Sequence, residues 1–273
     1  MRTNVVLQAL GGLAILAGVG RFVYALTQVP WTPAFGAAAA AFVLIAVAAL
    51  WLLSRRHPGR PEASWWLPVG VIAGVGVCGV VPLVNSAYLD AAQQLPDAVT
   101  YLFSSIPEET AKLLAALLVI AAFAPVRRPV ESAMVGMAVG AGFSVAEIVT
   151  NSAIKATLDL HSEYRDGAIF MLVMVVVGPF AHAVYTGLAA WGLGVFLCRT
   201  DQPLGWRLSR LAGWFVLAAA LHGAFNGSRE LPDPYGTVAM LAVSVLLWVL
   251  LIWLYRRSCR IGRQEPVASH TSR

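Results

Sequence analysis

The chain has 273 residues, of which 59% are hydrophobic and only 12% are charged, and its mean hydropathy is +0.73. A soluble domain of average composition carries about twice that charged fraction, so this composition indicates lipid rather than water as the solvent. The formal net charge is +5, but the basic residues lie in short clusters between apolar runs. That pattern is typical of membrane topology and argues against nucleic acid as a partner. The three cysteines match neither a disulfide framework nor a C-x-x-C metal motif.

Eight apolar runs are long enough to cross a hydrocarbon layer of roughly 30 Å, which needs about 20 helical residues. We expect the helices near residues 5–27, 33–53, 65–85, 100–124, 131–150, 167–197, 210–227 and 236–255. The first run resembles a signal peptide because Arg2 precedes it. No small-residue cleavage site follows and Arg21 interrupts the run, so we keep it as a helix. The sequence therefore predicts an all-α polytopic membrane protein of about eight transmembrane helices.

The basic residues predict the orientation of these helices. With both termini in the cytoplasm, the outer loops hold only Lys155, Arg165 and Arg229, while Arg21 and Lys112 lie within helices. All other basic residues then lie in cytoplasmic segments: Arg2, Arg55, Arg56, Arg60, Arg127, Arg128, Arg199, Arg207, Arg210, Arg256, Arg257, Arg260, Arg263 and Arg273. This excess is the positive-inside signal, so both termini are predicted to be cytoplasmic.

The predicted fourth to seventh helices carry polar residues that a lipid environment disfavours. Four pairs are spaced by four residues, which places both members of a pair on one helix face. The pairs are Glu108/Lys112, Phe143/Glu147, His182/Thr186 and His222/Asn226, and Glu109 lies beside the first pair. An Asp, Lys or Arg at the bilayer centre costs roughly 2.5–3.5 kcal/mol, so such residues must be paired, hydrated or functional. We expect the four polar faces to meet in the outer part of the membrane, with helix six overlong or bent at Pro179.

Each motif also has a structural interpretation. Ser105-x-x-Glu108, with Pro107 between them, fits a capping box at the start of a helix. The two histidine pairs fit interhelical hydrogen bonds. Three glycines indicate close helix packing: Gly136, Gly140 and Gly142. Four helices that supply two glutamates and two histidines at one level nevertheless favour a functional site over four unrelated structural roles.

Several catalytic motifs are missing from the sequence. The zinc-protease motif H-E-x-x-H is absent, and no aspartate lies within a predicted span, which excludes an aspartyl pair. Ser144, in Gly-Phe-Ser-Val-Ala, misses the nucleophile-elbow pattern at its last glycine. Carboxylates and imidazoles remain, and they suit activation of a water molecule by a general base. The same groups are zinc ligands, so the expected cofactor is none or zinc.

The order Glu108-Glu109-x-x-Lys112, Phe143-x-x-x-Glu147, His182-x-x-x-Thr186, His222-x-x-x-Asn226 resembles the PrsW family of intramembrane proteases. That family is distantly similar to the type II CAAX prenyl proteases. The resemblance implies a multi-pass protein of the bacterial cytoplasmic membrane that cuts a single-span membrane protein, such as an anti-sigma factor. The expected depth of the polar residues places the cut near the outer face. The expected partners are membrane lipid and this substrate. On this reading, residues 1–99 form three N-terminal helices and an outer loop, 100–227 a catalytic four-helix core, and 228–273 the last helix and a basic tail.

The resemblance also implies residue roles. Glu108 would be the general base, and Glu109 and Lys112 would tune its charge. Glu147 stands where the prenyl proteases use a histidine, and His182 would orient the water or bind a metal.

The remaining two residues, His222 and Asn226, would donate hydrogen bonds to the developing oxyanion. If zinc is bound, we expect its ligands to be His182, His222, Glu108 and Glu147. Because a lysine beside the carboxylates competes with a metal cation, a metal-free glutamic mechanism is favoured. A non-catalytic membrane scaffold and a proton-coupled transporter are the alternative functions.

Overall fold

The computed structural model describes residues 5–29, 31–158, 165–177 and 180–264, and within these residues it contains ten α-helices and no strand. The helices are α1 (Val5–Thr27), α2 (Pro33–Ser54), α3 (Trp66–Ala91), α4 (Asp97–Phe103), α5 (Ser105–Ala122), α6 (Pro129–Leu158), α7 (Arg165–Val177), α8 (Ala181–Cys198), α9 (Leu204–Ser228) and α10 (Tyr235–Gln264). Seven of them, all except α4, α5 and α7, are long and apolar enough to cross a membrane. The prediction of an all-α polytopic membrane protein is confirmed.

Two of the predicted helices are each divided in two. The helix expected over 100–124 is α4 followed by α5, because Pro107 has no N–H to bond the carbonyl of Phe103. The helix expected over 167–197, overlong or bent at Pro179, is two helices, since α7 ends at Val177 and α8 begins at Ala181. The sequence has a proline at 179, outside the described residues, and proline ends helices for the same reason.

The central helix of the bundle is α6, and glycines bring its neighbours into close contact with it. A Cβ atom added at Gly136 would lie 2.3 Å from Cβ of Ala190 on α8, and one at Gly140 would lie 2.1 Å from the carbonyl oxygen of His182. On the other side, a Cβ at Gly142 would lie 2.1 Å from the carbonyl oxygen of Val71 on α3. The predicted close-packing role of these three glycines is confirmed.

The two half-helices α7 and α8 follow α6 in the antiparallel direction, one after the other. At one end, a Cβ at Gly167 would lie 2.5 Å from the carbonyl oxygen of Ser152, and at the other, a Cβ at Gly194 would lie 2.7 Å from Pro129. In the same way, α4 runs alongside the end of α9, where a Cβ at Gly227 would lie 3.1 Å from the carbonyl oxygen of Ala98. With α4/α5 and α7/α8 each counted as one broken segment, the ten described helices form eight segments, the number of crossings that the sequence predicts.

The basic loops lie together at one end of the bundle. The guanidinium of Arg128, just before α6, donates to the carbonyls of Pro58, in the α2–α3 loop, and of Gly262, near the end of α10, both at 3.3 Å. The α8–α9 loop is at this end too, since Gly194 packs against Pro129. This grouping is what the predicted topology requires, and the assignment of this end to the cytoplasm stays a prediction.

Candidate active site

The polar faces of four crossings meet inside the bundle. Helix α5 supplies the two glutamates and the lysine, α6 a glutamate, and α8 and α9 one histidine each. The members of this polar cluster are Glu108, Glu109, Lys112, Glu147, His182, Thr186, His222 and Asn226. All are buried except Glu147, whose side chain is 33% exposed, and Asn226, which is half-buried. The cluster therefore has one side that is accessible and a core that is not.

The ammonium group of Lys112 is the centre of the cluster. Its Nζ lies 2.6 Å from Oε1 of Glu109 and 3.1 Å from Oε1 of Glu108, and both carboxylates come from its own helix. The same Nζ lies 2.6 Å from Nδ1 of His182 on α8. A buried charge is tolerated only when it is paired and hydrogen-bonded, and here one ammonium pairs two carboxylates.

The start of α5 excludes the capping-box interpretation. The Oγ of Ser105 donates to the carbonyls of Leu102 at 3.0 Å and Ala219 at 2.9 Å, so it joins α5 to α9 instead of capping α5. The residue before it, Ser104, makes no side-chain cap hydrogen bond either. Glu108 is buried against Lys112 and does not lie at an exposed helix end.

The partners of His182 determine where its proton lies. The lysine ammonium can only donate, so Nδ1 of His182 accepts from Lys112. On the other side of the ring, Nε2 lies 2.9 Å from Oε2 of Glu147, and a carboxylate can only accept. His182 is therefore neutral with its proton on Nε2, and it links the lysine of α5 to the glutamate of α6.

His222 has the opposite tautomer. Its Nδ1 lies 2.9 Å from Oε1 of Glu109, which requires the proton on Nδ1 when the glutamate is ionised. Its Nε2 lies 3.2 Å from Nδ2 of Asn226 and accepts from that amide. The same Nε2 is 3.6 Å from Oε1 of Glu108. In this protonation state Asn226 is a donor, and His222 has no proton on Nε2 to donate to an oxyanion.

Two aromatic rings complete the walls of the site. Phe143 lies over Lys112, with Nζ 4.4 Å from its ring centroid, and meets the edge of His182 at a centroid distance of 4.7 Å. Tyr185 stacks on His222 at a centroid distance of 4.9 Å and an interplanar angle of 10°. Tyr185 was not among the predicted site residues. The signal for it was its position three residues after His182, which places both on one face of α8.

The breaks in the two divided helices lie at the site. Glu108 is in the first turn of α5, and His182 is the second residue of α8. The first turn of a helix has N–H groups without intrahelical partners and carries the positive end of the helix dipole. Both half-helices therefore favour negative charge near Glu108 and His182, whether on a carboxylate or on a reacting oxygen.

In a comparison with protein families, residues 62–254 match the model of one family, which is described as PrsW family intramembrane metalloprotease. The chain belongs to this family. The match covers more than half of the chain and extends beyond residues 100–227, where the polar motifs lie, to include α3 and part of α10. No curated protein and no solved structure matches the chain. Membership makes the chain a multi-pass membrane peptidase, and the polar cluster is its candidate active site.

The metal implied by the PrsW family description can be tested against the side chains of the cluster. Ligand atoms of Glu108, Glu109, His182 and His222 all lie within 4.8 Å of one another, and carboxylate oxygen and imidazole nitrogen are zinc ligands. This set of possible ligands contains Glu109 in place of Glu147, which the sequence predicted as the fourth ligand. Glu147 instead bonds the far nitrogen of His182, the position of an outer-shell partner that orients a ligand. The donors fit a cation, and three of the four already contact the ammonium of Lys112.

Proposed function

We propose that the chain hydrolyses a peptide bond of a single-span membrane protein, with a water molecule activated by Glu108. The observation that carries this proposal is the convergence of the carboxylates, imidazoles and ammonium in one buried cluster, in a chain of the PrsW family. Carboxylate and imidazole are the usual groups for general acid–base catalysis. Burial of so many ionisable groups is costly, and this cost favours a functional over a purely structural role.

Glu108 is better placed than Glu109 to act as the base. Glu109 is fully buried, and its oxygens contact Lys112, His222 and, at 3.4 Å, Thr186. Glu108 retains slight exposure, and its closest contact is that with Lys112. A general base must be within hydrogen-bond reach of the water that it deprotonates, so the less enclosed carboxylate is the better candidate. Glu109 then pairs Lys112 and holds the ring of His222.

The proposed reaction needs no group beyond the cluster. Glu108 takes a proton from water, and the hydroxide attacks the carbonyl carbon of the scissile bond. The amide of Asn226, half-buried beside the cluster, donates a hydrogen bond to the resulting oxyanion, a role that contributes roughly 3–4 kcal/mol elsewhere. Glu108 then returns the proton to the leaving nitrogen as the C–N bond breaks. The products are one new carboxyl group and one new amine.

Lys112 supplies the positive charge of the site in this proposal. If zinc binds, Glu108, Glu109, His182 and His222 would hold it, and it would supply Lewis-acid polarisation of the carbonyl. We favour the metal-free form, since the lysine ammonium lies among the same donors and repels a second cation.

The accessible side of the cluster suggests where the substrate enters. Glu147 and Asn226 are its least buried members, and Asn226 lies two residues before the end of α9, at the end of the bundle away from the basic loops. We propose that the scissile bond lies near the outer membrane boundary of the substrate. A bacterial anti-sigma factor is the substrate type that the family resemblance implies.

Reconstitution tests this function against the alternatives. We expect the full chain in liposomes to cut a single-span peptide labelled at both ends, with one new carboxyl and one new amino terminus identified by mass spectrometry. A proton-coupled transporter is the specific alternative, because transporters also use broken helices at buried polar sites. The peptides tested form a set that varies the residues next to the outer membrane boundary. The proposal would be contradicted if all of these peptides stayed intact and the same liposomes showed peptide- or proton-coupled flux.

A further inference from the structure

The two halves of α2 have different surroundings. The first half packs against α6 and α7, with Phe35, Ala39 and Phe42 in one buried cluster with Val149 and Met171. The buried contacts of α2 in this cluster end at Ala46. Beyond Ala46 a space separates α2 from the bundle, and the helix meets the bundle again at its end, where Ser54 is buried and the hydroxyl of Tyr255 on α10 donates to the carbonyl of Leu53 at 3.1 Å.

That space is an apolar cleft with two branches. One branch, of about 230 Å³, lies between α2, α6, α8 and α10, and Leu50, Leu53 and Met137 are among its lining residues. The other, of about 350 Å³, lies between α2 and α3, where Leu50 and Ile72 line it. Together these branches are called the apolar cleft below. Its walls offer few polar groups, so an occupant must bring few polar groups of its own.

The cleft adjoins a basic chamber formed by the α2–α3 loop. This chamber has a volume of about 980 Å³ and is lined by Arg55, Arg56 and Arg60. Trp51 and Leu67 line both the chamber and the apolar cleft, so the two spaces adjoin. We call the chamber and the cleft together the α2 groove. One end of the groove is cationic and the other is apolar.

The three arginines of the loop have no acidic partner among the residues that the structure describes. Arg55 lies over the ring of Trp51 at 4.5 Å, and Arg60 donates to the carbonyl of Arg55. Within residues 5–29, 31–158, 165–177 and 180–264, no carboxylate lies within ion-pair distance of Arg55, Arg56 or Arg60. Arginine geometry matches phosphate, so an anion with phosphate oxygens suits this chamber.

The other charged residues of the chamber are already paired. Glu62 forms an ion pair with Arg127 at 3.2 Å, and Arg128 forms one with Glu131 at 2.7 Å. Burial lowers the pKa of His57 to about 4, so this side chain is neutral and adds no charge. The net positive charge of the chamber therefore comes from the three arginines of the loop.

We propose that the α2 groove binds an anionic diacyl phospholipid, with its phosphate among Arg55, Arg56 and Arg60 and its acyl chains in the apolar cleft. Basic pockets between transmembrane helices are suited to anionic headgroups. A polypeptide segment fits less well, because its backbone N–H and C=O groups would find few partners in the cleft. This lipid site is separate from the polar cluster and does not depend on the proposed proteolysis.

The test compares the full chain with matched arginine variants in nonionic detergent. The test variant is Arg56→Gln/Arg60→Gln, and the control is Arg210→Gln. Arg210 is an exposed arginine at the same end of the bundle that lies over Trp206 at 5.1 Å, as Arg55 lies over Trp51. Each protein is titrated with phosphatidylglycerol or phosphatidylcholine, and the melting temperature and bound lipid are measured by a thermal-shift assay and native mass spectrometry.

We expect phosphatidylglycerol, but not phosphatidylcholine, to raise the melting temperature of the wild type and the control. Each lost arginine should weaken phosphatidylglycerol binding about 5-fold, which corresponds to about 1 kcal/mol near an anionic headgroup. Leu50→Trp, which fills the cleft and keeps the arginines, should weaken binding as well. Equal binding by the double variant and the wild type would overturn the proposal, as would the same shift with inorganic phosphate or glycerophosphoglycerol alone.

Discussion

At the residue scale, the site is organised by one buried cation. The i, i+4 spacing correctly placed Glu108 and Lys112 on one face, but the shorter contact of Lys112 is with Glu109, at 2.6 Å. Its third partner, His182, is 70 residues away in sequence. Spacing along one helix determines which residues share a face. Contacts between helices also depend on the rotation of each helix about its axis and on the angle at which two helices cross, and spacing encodes neither. For the same reason the stacking of Tyr185 on His222 was not predicted.

The position of Lys112 leads to a prediction about metal. We expect the purified wild type to hold less than one zinc per chain, and Lys112→Met to bind zinc more tightly, because the cation between the four donors is then missing. Without added zinc, this variant should be less stable by about 3–5 kcal/mol, the usual cost of removing one partner of a buried ion pair. Elemental analysis and thermal unfolding with and without zinc measure both effects. Stoichiometric zinc in the wild type, with activity lost in a chelator and restored by zinc, would reverse this preference.

At the element scale, the site depends on two broken helices. The sequence predicted the apolar runs of these crossings, but hydropathy is continuous across a break, so α4/α5 was predicted as one helix and α7/α8 as one helix that is overlong or bent at Pro179. The sequence contains a proline near each break, Pro107 and the proline at 179. Of these two, only Pro107 lies among the described residues, so only the α4/α5 break can be attributed to a proline in the structure. The breaks matter because they place the first turns of α5 and α8 at Glu108 and His182.

Close packing of α8 on α6 predicts a steric variant. In Gly140→Ala the new methyl group meets the carbonyl oxygen of His182, so α8 must move away from α6 at the site. We expect a loss of stability of about 1–3 kcal/mol, typical of overpacking, and a loss of cleavage activity in the folded fraction. The matched control is Gly213→Ala on α9, where a Cβ has no neighbour within 4 Å. Wild-type melting temperature and cleavage rate in Gly140→Ala would show that this contact does not position His182.

At the scale of the whole molecule, the crossings separate a basic end from the opposite end. The basic clusters predicted this arrangement well, because positive charge and hydropathy are properties of the sequence alone. The structure adds direct contacts at the basic end, where Arg128 joins the α2–α3 loop to α10.

The orientation of the bundle can be tested by cysteine labelling. In a background without the native cysteines, a cysteine at position 127 should be protected from a membrane-impermeant reagent added outside, and one at position 230 should be labelled. Both positions are exposed in the fold, since the side chain of Arg127 is 51% exposed and Glu230 is exposed as well, so packing does not prevent the reaction. Strong outside labelling at 127 would invert the topology and place the accessible side of the site at the inner face.

The central claim, that Glu108 activates water for peptide hydrolysis, is tested most directly by Glu108→Gln. The substitution keeps the size of the side chain and removes the base, while Lys112 retains its contacts with Glu109 and His182. The control is Glu62→Gln, which neutralises an exposed carboxylate at the opposite end of the bundle.

The measurement is the cleavage rate of a single-span peptide in liposomes, together with the melting temperature of each variant. We predict that Glu108→Gln lowers the rate by roughly 10²–10⁴-fold, the usual contribution of a general base. Its melting temperature should be unchanged or higher, because a buried amide costs less than a buried carboxylate. Glu62→Gln should cleave at the wild-type rate. Cleavage by Glu108→Gln at the wild-type rate would contradict the assignment of Glu108 as the base.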